Sequence, residues 1–585
     1  MNNSTLKKLL TEYENKRINA IQMADISLLY PKGKAVSTMT LTDESINDLS
    51  VDYIVESLTK DIYEKNSIKK ILTNLTCDID VINYRADVFE DILNFPELRD
   101  GLVELLKKLE DLRELEKFNK DGDASSLWQL INRLREIDGY VLCITMLKNI
   151  LNTIPIKSQG LLDLKQTIED IYNNGGFDIL KKDIDETMAK AQNLKSVTIG
   201  VNLDSVLKPK NAGVISLNSF EITNSGILKN FMGFTGSKEE LNSDEKVLSS
   251  HKLHPANPSL NRTKFGSIQQ GANTNVHIDT SGSATGDDPL SQSLKKVVTD
   301  ILKRMVKSIK ATLQKYVNIS GYSLVGLMPE IIFYIRFAEL VDKMKEKKLP
   351  VCKPLAVHDD RVAYGEDIYN IKLAIKRTNG EEFDIIGNDI TFDNEQRIYV
   401  MTGPNRGGKT TFTQAVGHCF LLAQAGIYVP ATKFNYSPVD NIYTHFPADE
   451  NETVDLGRLG EESKRLSDIF KVATDKSLLL LNESLATTNV AEGVFIAKDV
   501  IKAMAYLGVR SVFNTHMHEL AHHLDEYNSD DSYRSKVQSL VTGMKDGHRS
   551  FKCEIAPPQG VSYAKDIAEK YGVTYDQIKK NIDNR

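Results

Sequence analysis

Gly403-Pro-Asn-Arg-Gly-Gly-Lys-Thr410 carries more structural information than any other stretch of this chain. It fits the pattern G-x-x-x-x-G-K-[ST], a loop whose glycines let successive backbone N–H groups turn inward on an anion. Residues 397–402, Arg-Ile-Tyr-Val-Met-Thr, read as a short buried strand, and residues 411–425 as a helix. A strand, a glycine-rich turn and a helix start together make a phosphate cradle, because the positive end of the helix dipole adds to the N–H donors. In such a loop the lysine, Lys409, reaches the β- and γ-phosphates, and the Thr410 hydroxyl ligates Mg2+. The expected ligands are ATP and Mg2+. Gly403, Pro404, Asn405, Arg406, Gly407, Gly408, Lys409, Thr410 and Thr411 are the expected nucleotide contacts.

Hydrolysis needs a second element. Leu478-Leu-Leu-Leu-Asn-Glu483 reads as a buried strand ending in two polar side chains, and the C-terminal ends of parallel strands are where ligands sit. Glu483 is the candidate general base or water-orienting carboxylate; a helix cap or an ion-pair partner is the bland alternative. Asn482 stands where an Asp usually helps hold the metal shell. It keeps an acceptor oxygen but lacks the charge, so Mg2+ held there through water is expected to be weaker and turnover slow. Downstream, Ser511-Val-Phe-Asn-Thr-His516 places His516 just beyond another buried strand, where it can sense the γ-phosphate. Lys409, Glu483 and His516 are therefore the catalytic candidates. His516, His518 and His522 lie close in sequence with Glu519, but no second ligand cluster accompanies them, which argues against a transition metal.

The rest of the chain bounds these expectations. It has 585 residues, 41% of them hydrophobic and 26% charged. That is enough for roughly three to five domains. A net charge of −7 gives no overall basic footprint, so a nucleic-acid surface would have to be local. The five cysteines form no C-x-x-C pair, which fits a reducing cytosol rather than a disulfide framework or zinc site. The N-terminus lacks a secretory apolar core, and the longest apolar stretch, 324–335, is broken by Pro329 and Glu330. A cytoplasmic protein with no membrane partner is expected.

Apolar residues at three- and four-residue steps predict helices over 49–58, 68–75, 81–93, 98–115, 128–151, 161–171 and 184–194. Alternation predicts a hairpin of 196–203 with 214–217. Residues 233–293 are polar and nearly free of aromatics, and read as a flexible insertion. Helices resume over 294–317 and 324–347. Beyond Pro354 strands and helices alternate: strands 371–375 and 383–392, the phosphate loop, helix 462–474, strand 477–481, helix 490–506 and strand 511–514. That is the rhythm of a parallel α/β nucleotide-binding domain.

Taken together these motifs resemble the MutS family of DNA mismatch-repair ATPases. The resemblance rests on Thr402-Gly-Pro-Asn-Arg-Gly-Gly-Lys-Thr-Thr411, Ala423-Gln-Ala-Gly-Ile-Tyr-Val-Pro-Ala431, Asn482-Glu483, Thr515-His516 and Gly560-Val-Ser-Tyr-Ala-Lys-Asp-Ile-Ala568. More weakly, Val81-Ile-Asn-Tyr-Arg-Ala-Asp87 resembles the start of that family's lever domain. The resemblance implies an α plus α/β multidomain fold. Residues 1–48 would be an N-terminal extension. A helical core/lever domain would span 49–354, with a small β segment near 195–220 and the insertion near 233–293. An ABC-like P-loop ATPase domain would span 355–572, with a tail over 573–585. It implies a homodimer that clamps double-stranded DNA under ATP control, each nucleotide site completed by the partner, in mismatch repair or a related process. The alternative is an ATP-driven switch acting mainly on protein partners. The adenine-packing position falls on Ile385, and the family's trans-acting serine on Gly457, with Arg458 either a substitute for it or a surface charge. Lys208, Lys210, Arg262 and Lys264 are candidate DNA contacts. A domain bearing the family's Phe-x-Glu wedge is not expected before residue 49, and the short stretch after Gly572 argues against the branch with an added nicking domain.

Overall fold

The computed structural model describes residues 26–120, 127–192, 196–207, 209–218, 223–224, 246–247, 303, 306–358, 361–404, 406–447, 458–485, 490–545, 548–558, 569 and 571–583. Apart from the two-residue strand Lys246–Val247, the insertion expected over 233–293 lies outside them, as do Lys208, Arg262, Lys264, Asn405 and Gly457.

Two compact units are present. The first is centred on Asp111–Leu142 and Ile171–Gly321. Its helix Gly175–Gln192 presents Asp183, which accepts from the Tyr316 hydroxyl at 2.8 Å and pairs with Lys315 at 2.8 Å. Leu134, Ile137, Tyr140 and Tyr316 are buried within this unit. The predicted hairpin is there: Ser196–Leu203 pairs antiparallel with Pro209–Asn218, Ser196 opposite Asn218.

The second unit comprises Met23–Glu110, Cys143–Asp170 and Tyr322–Arg585. Helix α1 (Ile79–Asn94) starts at Asp78, whose carboxylate accepts from the N–H groups of Asp80 and Val81, a side-chain cap of two otherwise orphan donors. Helix α2 (Met328–Glu346) packs on it, with Phe89 and Tyr334 stacked at 6.3 Å. Between them the segment 27–30 is held by its backbone. Tyr84 donates to the Ser27 carbonyl at 2.8 Å and Tyr334 to the Leu28 carbonyl at 2.9 Å. Glu330 accepts from the Ser27 hydroxyl at 2.8 Å and from the Leu28 N–H at 2.5 Å.

Burial pushes the Glu330 carboxyl up to about 7, against those hydrogen bonds. Its folded value thus lies above its unfolded value, and the folded state holds the proton more tightly. The stability it contributes is present in full below the ordinary carboxylate range and is lost as pH rises towards 7, a swing of about 3 kcal/mol. Glu330→Gln is expected to flatten this part of the profile. Denaturant midpoints followed across that window check it, and an unchanged slope in the variant would count against it.

The nucleotide-loop region is built on a six-stranded sheet. Its strands are β1 (Gln396–Thr402), β2 (Ile442–His445), β3 (Leu478–Asn482), β4 (Arg510–Asn514), β5 (Lys536–Lys545) and β6 (His548–Ile555). The order is β2-β3-β4-β1-β5-β6, parallel throughout except for antiparallel β6. Every residue of β2, β3 and β4 is buried, as parallel strands covered on both faces require. Helix α3 (Lys409–Gln424) follows the phosphate loop, α4 (Arg458–Val472) precedes β3, and α5 (Val490–Leu507) joins β3 to β4. Val494, Ala497, Ile501 and Met504 of α5 pack on Leu479, Leu481 and Phe513.

Two predicted strands differ. Residues 371–375 are part of the helix Ile371–Thr378, because the Asn370 carboxamide caps the Lys372 N–H at 2.9 Å and Ile371, Ala374 and Ile375 lie on one buried helical face. Of residues 383–392 only Asn388–Phe392 is strand; it joins a separate four-stranded sheet with Leu355–Ala356, Lys433–Tyr436 and Ala363–Ile368. Among the described residues no helix is long and apolar enough to cross a membrane.

Candidate functional site

The phosphate loop leaves β1 at the C-terminal edge of the sheet. Gly403 has φ 140°, and a Cβ there would meet the Thr542 hydroxyl of β5 at 2.1 Å, so only glycine lets the loop lie this close to the strand. Gly407 N–H closes a turn on the Pro404 carbonyl at 3.0 Å, and Arg406 takes a left-handed φ of 59°. Lys409 opens α3 and is buried, its ammonium donating to the Gly403 and Pro404 carbonyls at 3.1 and 3.2 Å. Burial lowers its pKa and the Glu483 charge opposes that shift.

Glu483 follows β3 with a left-handed φ of 52°, a conformation costing on the order of 1–3 kcal/mol and held here by its N–H on the Asn514 carbonyl at 2.8 Å. The turn brings its carboxylate to His516 Nε2 at 2.6 Å, while His516 Nδ1 lies 3.5 Å from Lys409 Nζ. The hydrogen bond from His516 holds the Glu483 carboxyl below the usual range, against burial; the His516 and Lys409 charges act the same way as that bond. Lys409, His516 and Glu483 therefore form one continuous polar line drawn from the ends of three neighbouring strands, β1, β4 and β3.

Thr410 donates its hydroxyl hydrogen to Asn482 Oδ1 at 2.7 Å. Asn514 Nδ2 donates to the same oxygen and reaches Thr410 Oγ1 at 3.4 Å. A hydroxyl and an amide oxygen side by side are hard oxygen donors of the kind Mg2+ takes, so the residues present fit that ion, although neither carries charge.

A cavity of about 550 Å3 opens over the loop. Arg406, Gly407, Gly408, Lys409, Thr410, Thr411 and Glu483 form one side; Tyr369, Leu373, Phe383, Ile386 and Phe551 form an apolar wall. Ile385 is not part of that wall. Its neighbours on this irregular segment, Phe383, Asp384 and Ile386, line the cavity instead. Phe551, on β6, covers Gly408, where a Cβ would lie 3.3 Å from the ring. Its carbonyl accepts from Asn388 Nδ2 at 3.1 Å, and Asn388 Oδ1 accepts from Cys553 N–H at 2.7 Å. No local pattern marks Phe551; Asn514 had one weak signal, a polar side chain at a strand mouth.

Of the other candidates, Glu519 lies 3.6 Å from Lys498 and 3.7 Å from His523. Among the described residues no group of three or more His, Cys, Asp and Glu could hold a metal ion. Arg458 begins α4, and Lys210 lies on the strand Pro209–Asn218.

Two family models match the chain. One, described as MutS domain V, covers residues 399–575; the other, MutS2 N-terminal domain, covers 77–347. A DNA mismatch repair protein MutS from Caldanaerobacter subterraneus subsp. tengcongensis is 24% identical over 464 residues, 77% of this chain and 49% of that protein. Proteins of the same name from Chlorobium phaeobacteroides and Chloroflexus aurantiacus are 34% and 32% identical over 171 and 211 residues. Those stretches are 29% and 35% of this chain and 19% and 21% of the respective relatives. The chain thus spans from about a fifth to about half the length of these relatives. The sheet that carries the phosphate loop falls within one family model and the helices α1 and α2 within the other, and the chain belongs to the MutS family.

Proposed function

We propose that this protein binds and hydrolyses ATP and uses the cycle to control its hold on double-stranded DNA, in mismatch repair or a related repair or recombination process. The line Lys409–His516–Glu483 beside the loop cavity carries the proposal. With a phosphate in the cradle, Lys409 exchanges two neutral carbonyl partners for anionic oxygens, a stronger hydrogen bond. Glu483, ionised at neutral pH, orients and deprotonates the attacking water, and His516 ties its position to that of Lys409. Thr410 and Asn482 would hold Mg2+, which when bound offsets the charge of the β- and γ-phosphates. Because Asn482 is neutral, turnover is slow. The base packs against Phe551 and Ile386 rather than Ile385. Phe551→Ala is accordingly expected to weaken nucleotide binding about tenfold, the scale of one lost base–aromatic stack; an unchanged Kd for a fluorescent ATP analogue would remove Phe551 from the site.

A homodimer in the cytoplasm, each site completed by the second copy, belongs to the same proposal. The test is filter retention of homoduplex, mismatched and branched DNA with and without ATP across a salt series. Contacts to the phosphate backbone make binding fall steeply with salt. No salt-sensitive binding in any nucleotide state would overturn DNA as the target and leave a switch acting on protein partners.

A further inference from the structure

We propose that Asn514 is a positioning residue that keeps the oxygen of Asn482, rather than its NH2 group, turned towards Thr410, so that a neutral amide can serve the Mg2+ site. This rests on the ATPase function proposed above. Asn482 and Asn514 stand opposite each other in the parallel register of β3 and β4. Asn482 is 6% exposed and Asn514 is fully buried. A carboxylate at 482 would present oxygen whichever way it turned. A carboxamide has a right and a wrong face: Oδ1 accepts and Nδ2 only donates. With the wrong face out, N–H groups point at the Thr410 hydroxyl and repel a cation.

Nothing in the chemistry of Asn482 alone chooses between these faces, since Thr410 Oγ1 can donate to the one or accept from the other. Asn514 ties that choice to its own orientation. Its Nδ2 donates to Asn482 Oδ1, the oxygen that also accepts from Thr410 at 2.7 Å. Its own Oδ1 is buried without a hydrogen-bond partner, so the observed orientation leaves one acceptor unsatisfied in order to aim a donor at Asn482. Turning Asn482 over would set its NH2 against the Asn514 NH2, which is forbidden unless both amides turn together. The pair thus behaves as one unit with two arrangements, of which the observed one exposes oxygen.

A double-mutant cycle separates this from packing. Binding of a fluorescent ATP analogue is followed as Mg2+ is titrated, in the full chain, for the unaltered protein, Asn514→Ala, Asn482→Asp and the double variant. Losing the orienting bond in the amide background should raise the half-saturating Mg2+ concentration about tenfold, the equivalent of one net hydrogen bond. In the Asn482→Asp background the same Asn514→Ala change should move it less than about twofold, because a carboxylate has no wrong face. Equal shifts in the two backgrounds would overturn the proposal and reduce Asn514 to a packing role. If Asn514→Ala does not fold, Asn514→Val, which also removes the donor and fills more of the space, reads the same cycle. Nucleotide binding by the unaltered protein that ignores Mg2+ altogether would instead overturn the ATPase function itself.

Discussion

Replacing Glu483 by Gln is expected to lower ATP turnover about a thousandfold while leaving nucleotide affinity close to that of the unaltered protein, the middle of the range for loss of a general base. Gln is isosteric and keeps an oxygen for His516 Nε2, which now lies 2.6 Å from the carboxylate. What it loses is the ability to take a proton. The left-handed turn at residue 483 and its N–H on the Asn514 carbonyl are backbone features that survive the substitution. Single-turnover phosphate release and equilibrium binding, measured together, check both halves. A fall of less than about tenfold would return Glu483 to the role of an ion-pair partner, since general-base contributions start well above that. The sign of the pH dependence follows from the same contacts. The folded carboxyl titrates below its ordinary value, so the active, charged form persists through neutral pH and is lost only on acidification through the depressed value. His516→Ala, by removing the first cause of that depression, should move the acid limb of the rate profile upward.

The parts of this site legible in the sequence are those made by consecutive residues. The phosphate loop, the Leu478–Asn482 strand with Glu483 beyond it, and the Arg510–Asn514 strand leading to His516 each carry their own strand-to-turn signal. What was not legible comes from pairing across the sheet or from an irregular path. Phe551 reaches Gly408 only because β6 hangs antiparallel on β5, beside β1. Asn514 matters because strand register sets it opposite Asn482, which no spacing along the chain reveals. Ile385 is absent from the cavity lining for a third reason: on an irregular segment side-chain direction has no fixed period, so spacing along the chain does not tell which of 383–386 faces the cavity. The apolar residues of 371–375 are too few to separate strand from helix by periodicity. The deciding signal was Asn370, a polar cap just before them. The helices α1 and α2 were readable because long amphipathic periods are robust. The clasp they place on residues 27–30 was not, because it is made to backbone atoms.

Gly426→Ala is expected to destabilise the protein by about 4 kcal/mol, the sum of a left-handed backbone penalty and an overpacking penalty. Gly426 lies just beyond α3, with φ 80°, and a Cβ there would fall 2.3 Å from Arg85 Cβ and 2.9 Å from the Ala86 nitrogen. The second contact is backbone of α1, which cannot yield by rotating a side chain. Arg85 is 1% exposed and is itself pinned, its guanidinium donating to the Leu29 carbonyl at 3.1 Å and the Gln424 carbonyl at 3.2 Å and lying 4.8 Å from the centre of the Tyr30 ring. Gln424 in turn donates to the Thr76 and Val439 carbonyls, both at 2.9 Å. Gly33 supplies the control: it has φ 75° but open space around it, so Gly33→Ala carries only the backbone term, about 1–2 kcal/mol. Denaturant unfolding of the two variants therefore separates strain from contact, and equal losses would mean that α1 does not bear on the end of α3. The contact matters because α3 has the phosphate loop at its other end. A helix of 16 residues is a rod of about 24 Å, too stiff to absorb a shift at Lys409 within its own length. With Gly426 and Arg85 in direct contact there is no slack at its far end either, so a displacement of the loop would be delivered to α1, in the same compact unit.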